Sequence, residues 1–212
     1  MYDNEFINLF APKLPARLCE IYENKGGPPA IPLETARLLA VLLTITKPNK
    51  ALEIGCSFGF SACLTATYMT SGGHVTTIER NAKLFETARA NFAKMGYENR
   101  ITLLEGDALD ILPSLCLKKE KYDFIFMDAA KGQYVNFLPH CLELLSTEGV
   151  LIADNIFHKG MVMADRAAIP HRQRTIHDRM NEFLRKISND ERLQTSIVPI
   201  GDGLVVAVKV RI

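Results

Sequence analysis

The chain has 212 residues, 48% of them hydrophobic and 23% charged, and a formal net charge of +1. That length supports one full hydrophobic core, and the near-neutral balance excludes a polycation, so any nucleic-acid contact must come from a local patch. The sequence holds no apolar run long enough to span a bilayer, and its start, Met1-Tyr2-Asp3-Asn4-Glu5, lacks the basic region of a signal peptide, so a cytoplasmic location is expected.

In chain order, residues 3–23 read as a helix. Lys25-Gly26-Gly27-Pro28-Pro29 breaks the chain, and Pro32 opens a second helix with Leu38, Leu39, Val41, Leu42 and Leu43 on its apolar side. From Pro48 onward strands and helices alternate. Strands are predicted at 50–54, 74–79, 100–105, 122–127 and 148–153, and helices at 59–70, 81–95, 108–117 and 132–145. The strands are short and nearly continuous in apolar residues, the pattern of a parallel sheet buried on both faces. A helix at 171–187 precedes two strand-like runs, 195–200 and 204–210. Gly201-Asp202-Gly203 joins them into a hairpin, so at least one strand runs antiparallel. No internal repeat or low-complexity tract is present. The expectation is one domain over 1–212, with 1–47 as a helical cap region. Its fold class is α/β, a doubly wound, mostly parallel seven-stranded sheet ending in an antiparallel β-hairpin. Cys19, Cys56, Cys63, Cys116 and Cys141 form no C-x-x-C pair, so buried reduced thiols are expected and a zinc site is not.

The first chemical signal is Glu53-Ile54-Gly55-Cys56-Ser57-Phe58-Gly59-Phe60-Ser61, a strand running through a glycine turn into a helix. Glu79 ends the next strand. Glycines let a ligand approach the backbone, and an acid at that place can accept from both hydroxyls of a ribose. The spacing is G-x-S-x-G-x-S rather than G-x-G-x-x-G, and Phe58 and Phe60 crowd the place a diphosphate would take. A nucleoside without a diphosphate suits it better. Asp107, in Gly106-Asp107-Ala108, can accept from an adenine amine while the Ala108 N–H donates. It can equally cap the helix that follows.

Two further strands end in polar residues, one in Asp128-Ala129-Ala130-Lys131 and the other in Asp154-Asn155. Ligands of open α/β sheets bind beyond such strand ends. Two carboxylates and an amide oxygen are hard donors suited to Mg²⁺, Mn²⁺ or Ca²⁺. Lys131 can take the proton of a hydroxyl acidified there. The plainer alternatives are caps for Asp128 and Asp154 and an exposed first-turn lysine for Lys131.

With Pro199-Ile200-Gly201-Asp202-Gly203-Leu204 added, these motifs resemble the metal-dependent S-adenosylmethionine O-methyltransferases, the catechol and caffeoyl-CoA group, over nearly the whole chain. The resemblance implies a Rossmann-like class I methyltransferase fold. It implies Asp128, Asp154 and Asn155 around the cation and Lys131 as general base. Around S-adenosylmethionine it implies Glu53, Gly55, Ser61, Glu79, Asp107, Ala108 and Asp128, with the segment at Ile31 closing over the methionine end. It also implies a homodimer. Residues Phe6, Leu9, Phe10, Leu14 and Leu18 can supply an interface or pack on their own core. Catechol enzymes place an acid just after the final hairpin turn, whereas Asp202-Gly203-Leu204-Val205-Val206 offers none there.

The segment 158–186 carries seven cations against three acids, a local +4, besides His158, His171 and His177. A basic concentration beside the site suits a phosphate-bearing acceptor. Pro170-His171-Arg172-Gln173-Arg174-Thr175-Ile176 resembles the branch that methylates 5-hydroxyuridine at the tRNA wobble position. Lys159, Arg172 and Arg174 are the implied substrate contacts. A small phenol or catechol is the alternative acceptor, and a non-catalytic nucleotide-binding module the alternative class. A membrane partner is not expected.

Overall fold

The computed structural model describes residues 10–24 and 30–211. The expected break at 25–29, the start of the first helix at 3–9, and Phe6 and Leu9 lie outside them. Where a helix over 3–23 was predicted, the described part is interrupted. Residues 12–15 are not helical, and helix α1 spans Ala16–Glu23 with Pro15 as its N-cap. Pro12 and Pro15 remove backbone donors and restrict the residues before them, which ends a helix. Leu14, Leu18 and Ile21 are buried in the protein's own core, while Phe10 is 76% exposed.

Helix α2 (Leu33–Thr46) leads into a sheet built from β1 (Lys50–Ile54), β2 (His74–Glu79), β3 (Ile101–Glu105), β4 (Tyr122–Met127), β5 (Leu145–Asp154), β6 (Leu193–Val198) and β7 (Leu204–Lys209). Between them lie α3 (Phe60–Tyr68), α4 (Ala82–Met95), α5 (Ala108–Leu117), α6 (Tyr134–Leu144) and α7 (His171–Ser188). The sheet order is β3-β2-β1-β4-β5-β7-β6. The first five strands pair in parallel, and β7 pairs antiparallel with both β5 and β6. This is the expected mixed sheet with its hairpin finish.

Alternate residues of each strand face opposite sides. Leu52, Ile54, Ile125, Met127, Leu151 and Ala153 belong to one buried cluster. Ala51, Phe124, Phe126, Val150 and Ile152 belong to the other. Several boundaries moved by one to three residues. Strand β5 begins at Leu145 rather than 148, because Leu145 pairs with Tyr122 before an irregularity that delays the next pair to Phe124 and Val150. Strand β6 ends at Val198 rather than 200, because Pro199 has no N–H to continue the ladder. The order in which strands are added reverses between β1 and β4, and a crevice opens there beyond the strands' carboxyl ends. Among the described residues no helix is long and apolar enough to cross a membrane. All five cysteines are free.

Candidate active site

A cavity of about 470 Å³ fills that crevice. Its walls include Gly55, Ser61, Glu79, Asp107 and Ala108, with Ile31 and Pro32, and also Asp128, close beside Gly55, with Lys131 and Asn155. Gly55 permits this closeness. Its φ is +101°, and a Cβ there would fall 2.0 Å from the Asp128 carbonyl oxygen. The turn after β1 therefore packs directly on the turn after β4.

Glu79 is held by two backbone donors: Ser57 N–H to Oε2 at 2.8 Å and Asn81 N–H to Oε1 at 2.7 Å. A carboxylate oxygen accepts more than one hydrogen bond, so both remain able to accept from a diol. Asp107 takes the expected capping role. Its Oδ1 accepts from Leu109 N–H at 2.9 Å as the cap of α5, and the residue still lines the cavity. Phe58 and Phe60 pack against one another in the wall, with ring centroids 6.3 Å apart.

Glu53 does not line the cavity. It lies beneath it, 2% exposed, accepting from Thr77 Oγ1. Burial, resisted by hydrogen bonds from Ser61 and Thr77, pushes its carboxyl up to about 8. Expected around the methyl donor, Glu53 is buried here and held to Ser61, which does line the cavity.

Lys131 Nζ donates to Asp128 Oδ1 at 2.7 Å and to the Tyr134 hydroxyl at 2.9 Å. Burial works against the ammonium, but Tyr134 and Asp128 outweigh it and hold its pKa above the ordinary lysine value. Tyr134 was not singled out from the sequence. It is fully buried, and its oxygen also accepts from Ala129 N–H at 3.3 Å. Its one proton is shared between the carbonyls of Met127 and Asp154, at 3.0 and 3.1 Å. The only available signal was its position, three residues beyond Lys131 on a helix, where side chains share a face. Arg80 and Gln133 also line the cavity and were not anticipated.

Asp154 is completely buried. Its Oδ1 accepts from Asn155 N–H at 2.6 Å, and its Oδ2 has no hydrogen-bond partner. Burial and the neighbouring Asp128 push its carboxyl up to about 7. Among the described residues no three Asp, Glu, His or Cys side chains gather as a metal-binding group. The donor set is two carboxylates and one amide. An orphaned buried carboxylate oxygen beside a second acid fits a hard divalent cation, which would satisfy the lone pair and remove the repulsion.

Lys159, Arg172 and Arg174 do not line the cavity. Lys159 and Arg172 are exposed, and Arg174 Nε is tied to the Ile169 carbonyl at 3.0 Å. The helix that carries Arg172 and Arg174 nevertheless adjoins the site: Arg179 donates to the Gly132 carbonyl at 3.0 Å, next to Lys131.

A family model described as O-methyltransferase matches residues 16–210. A caffeoyl-CoA O-methyltransferase from Populus kitakamiensis is 30% identical over 178 residues, covering 82% of this chain and 76% of that one. The crystal structure of an O-methyltransferase from Bacillus cereus in complex with SAH has a TM-score of 0.86 at 24% identity, covering 97% of this chain and 96% of that chain. An SAH-bound methyltransferase from Podospora anserina gives 0.84 at 23%, covering 100% and 98%.

Proposed function

The chain belongs to the O-methyltransferase family, and on that premise we propose that it moves a methyl group from S-adenosylmethionine to a hydroxyl with a divalent cation bound at Asp128, Asp154 and Asn155. The observation that carries this reading is one cavity lined both by an acid that two backbone donors hold in place, Glu79, and by Asp128, Asn155 and Lys131. Glu79 accepts from the ribose hydroxyls. Asp107 and the Ala108 N–H face the adenine. Gly55, Ser61 and the segment at Ile31 surround the methionine end.

The cation, Mg²⁺ or Mn²⁺, supplies acidification of the acceptor hydroxyl. The residues supply position. Asp128 spends one oxygen on Lys131 and has the other to offer. Lys131 is an ammonium as arranged here. It accepts a proton at Nζ only after giving one up, which a weaker hold by Asp128 would favour. The bound sulfonium brings the electrophilic methyl.

For the acceptor we favour 5-hydroxyuridine at the tRNA wobble position, giving 5-methoxyuridine. Support comes from the exposed cations Lys159 and Arg172 on a segment that adjoins Lys131 through Arg179 and Gly132. A small phenol or a caffeoyl-CoA-like ester is the second reading, favoured by the caffeoyl-CoA relatives. The test is methyl transfer from labelled S-adenosylmethionine to 5-hydroxyuridine tRNA and to caffeoyl-CoA, each with Mg²⁺ and with chelator. Transfer to tRNA that chelator abolishes supports the proposal. Turnover of caffeoyl-CoA alone selects the second reading, and activity surviving chelator and Asp154→Ala defeats the cation's role. A homodimer is part of the proposal, supported by Val41 and Ile45, 55% and 71% exposed on α2. Sedimentation at micromolar concentration tests it.

A further inference from the structure

The backbone just after Asn155 is conformationally costly. Asn155, His158 and Lys159 have φ of 54°, 46° and 57°, followed by Gly160 at 81°. Left-handed backbone suits glycine and is tolerable for asparagine, but costs other residues about 1–2 kcal/mol each. Such a run persists only where its surroundings hold it. The turn between β6 and β7 does so. Ile156 N–H donates to the Gly203 carbonyl at 3.1 Å and Phe157 N–H to the Asp202 carbonyl at 2.9 Å. Lys159 N–H donates to both carboxylate oxygens of Asp202, at 2.8 and 2.9 Å. The Phe157 ring covers Gly203 so closely that an added Cβ would come within 2.4 Å of it.

Of the hydrogen-bond acceptors in that turn only the Asp202 carboxylate belongs to a side chain. An aspartate in a tight turn ordinarily serves its own backbone. Here both oxygens serve an N–H 43 residues away in sequence. That N–H belongs to the loop that presents Asn155 to the cavity.

Resting on the cation reading above, we propose that Asp202 is a positioning residue for the cation site: by clamping Lys159 N–H it fixes the 155–160 loop, and with it the Asn155 amide that faces the same cavity as Asp128. Asp202 does not line the cavity. It acts through the loop, as outer partners commonly orient metal ligands.

The test measures Mn²⁺ affinity by calorimetry for the full chain, for Asp202→Ala and for Asp202→Asn. S-adenosylhomocysteine affinity is measured separately in chelator. Asp202→Ala is expected to weaken Mn²⁺ binding roughly ten- to a hundredfold. Asp202→Asn keeps one accepting oxygen and loses much less. Neither changes S-adenosylhomocysteine affinity. Should Asp202→Ala not fold, Asp202→Ser, too short to reach Lys159, takes its place. Unchanged Mn²⁺ affinity in the alanine or serine variant overturns the proposal. Equal losses in the alanine and asparagine variants also overturn it, since charge rather than the clamp would then be the cause. So does a parallel loss of S-adenosylhomocysteine binding, the mark of general loosening. A wild-type protein that binds no Mn²⁺ removes the cation reading itself, and is recognised before any variant is compared.

Discussion

The backbone N–H of Ser57 donates to Glu79 Oε2 at 2.8 Å, so the acid ending β2 is oriented by the turn that follows β1. Two segments distant in sequence thus prepare one acceptor before any ligand arrives. Glu79→Gln turns an amide NH₂ toward one of two N–H donors. Hydrogen bonds to charged groups contribute about 1.5–3 kcal/mol, so S-adenosylhomocysteine affinity should fall at least tenfold by calorimetry. An affinity equal to wild type would remove Glu79 from the binding site.

Gly55→Ala should not be tolerated. Its Cβ would meet the Asp128 carbonyl at 2.0 Å, and its φ is left-handed. Backbone strain and overlap together should cost at least about 3 kcal/mol, read as a lower denaturant midpoint. The turns after β1 and β4 would have to part, taking Asp128 out of line.

Tyr134→Phe removes the hydroxyl that meets Lys131, Ala129, Met127 and Asp154. Unpaired buried groups cost about 1–3 kcal/mol, so chemical denaturation should show a loss of that size. Lys131 would keep only Asp128, and kcat should fall more than KM for the methyl donor rises. A variant with wild-type kcat would show that Lys131 needs no second anchor.

Stability should depend on pH through Glu53. Its folded value, about 8, stands above the ordinary 4.5, because burial disfavours the charge. The folded state therefore holds the proton more tightly, and its contribution is fully present below about pH 4.5. That contribution is lost as pH rises toward 8. Glu53→Gln should match wild type in unfolding free energy near pH 5 and exceed it near pH 8 by a few kcal/mol. A constant difference between the two across that range would show that Glu53 does not titrate there.

If tRNA is the acceptor, Lys159→Glu with Arg172→Glu should weaken tRNA binding and flatten its salt dependence. Both side chains are exposed. Arg174 is a poorer choice, because its Nε supports the Ile169 carbonyl at the start of α7. Filter binding across a salt series reads the slope, and an unchanged slope would favour the small-molecule acceptor.

The parallel half of the sheet was readable because each strand is a short apolar run ending where polar residues begin, as at Met127-Asp128 and Ala153-Asp154. Those same endings marked Asp128 and Asn155, which line the cavity, and Asp154, buried beside them. What could not be read depends on the third dimension. Nothing in the spelling of Tyr134 shows that its hydroxyl reaches the Asp154 carbonyl, or that Glu53 is buried while its neighbours Ile54 and Gly55 wall the cavity. The helix expected over 3–23 failed on Pro12 and Pro15, whereas Pro113 and Pro139 sit inside helices α5 and α6. Tertiary packing decided which prolines ended a helix.

Strand β7 follows β6 in the chain but lies between β5 and β6, so β6 pairs with nothing else in the sheet. On the ribosome β6 emerges first and must wait. The partner of Asp154 in the ladder is Leu204, the first residue of β7. The half of the cavity around Glu79 and Asp107 can therefore assemble while translation continues, but the flank of Asp154 closes only after β7 has left the exit tunnel. A nascent chain stalled before residue 204 would have Glu79 and Asp107 in place while the flank of Asp154 stood open.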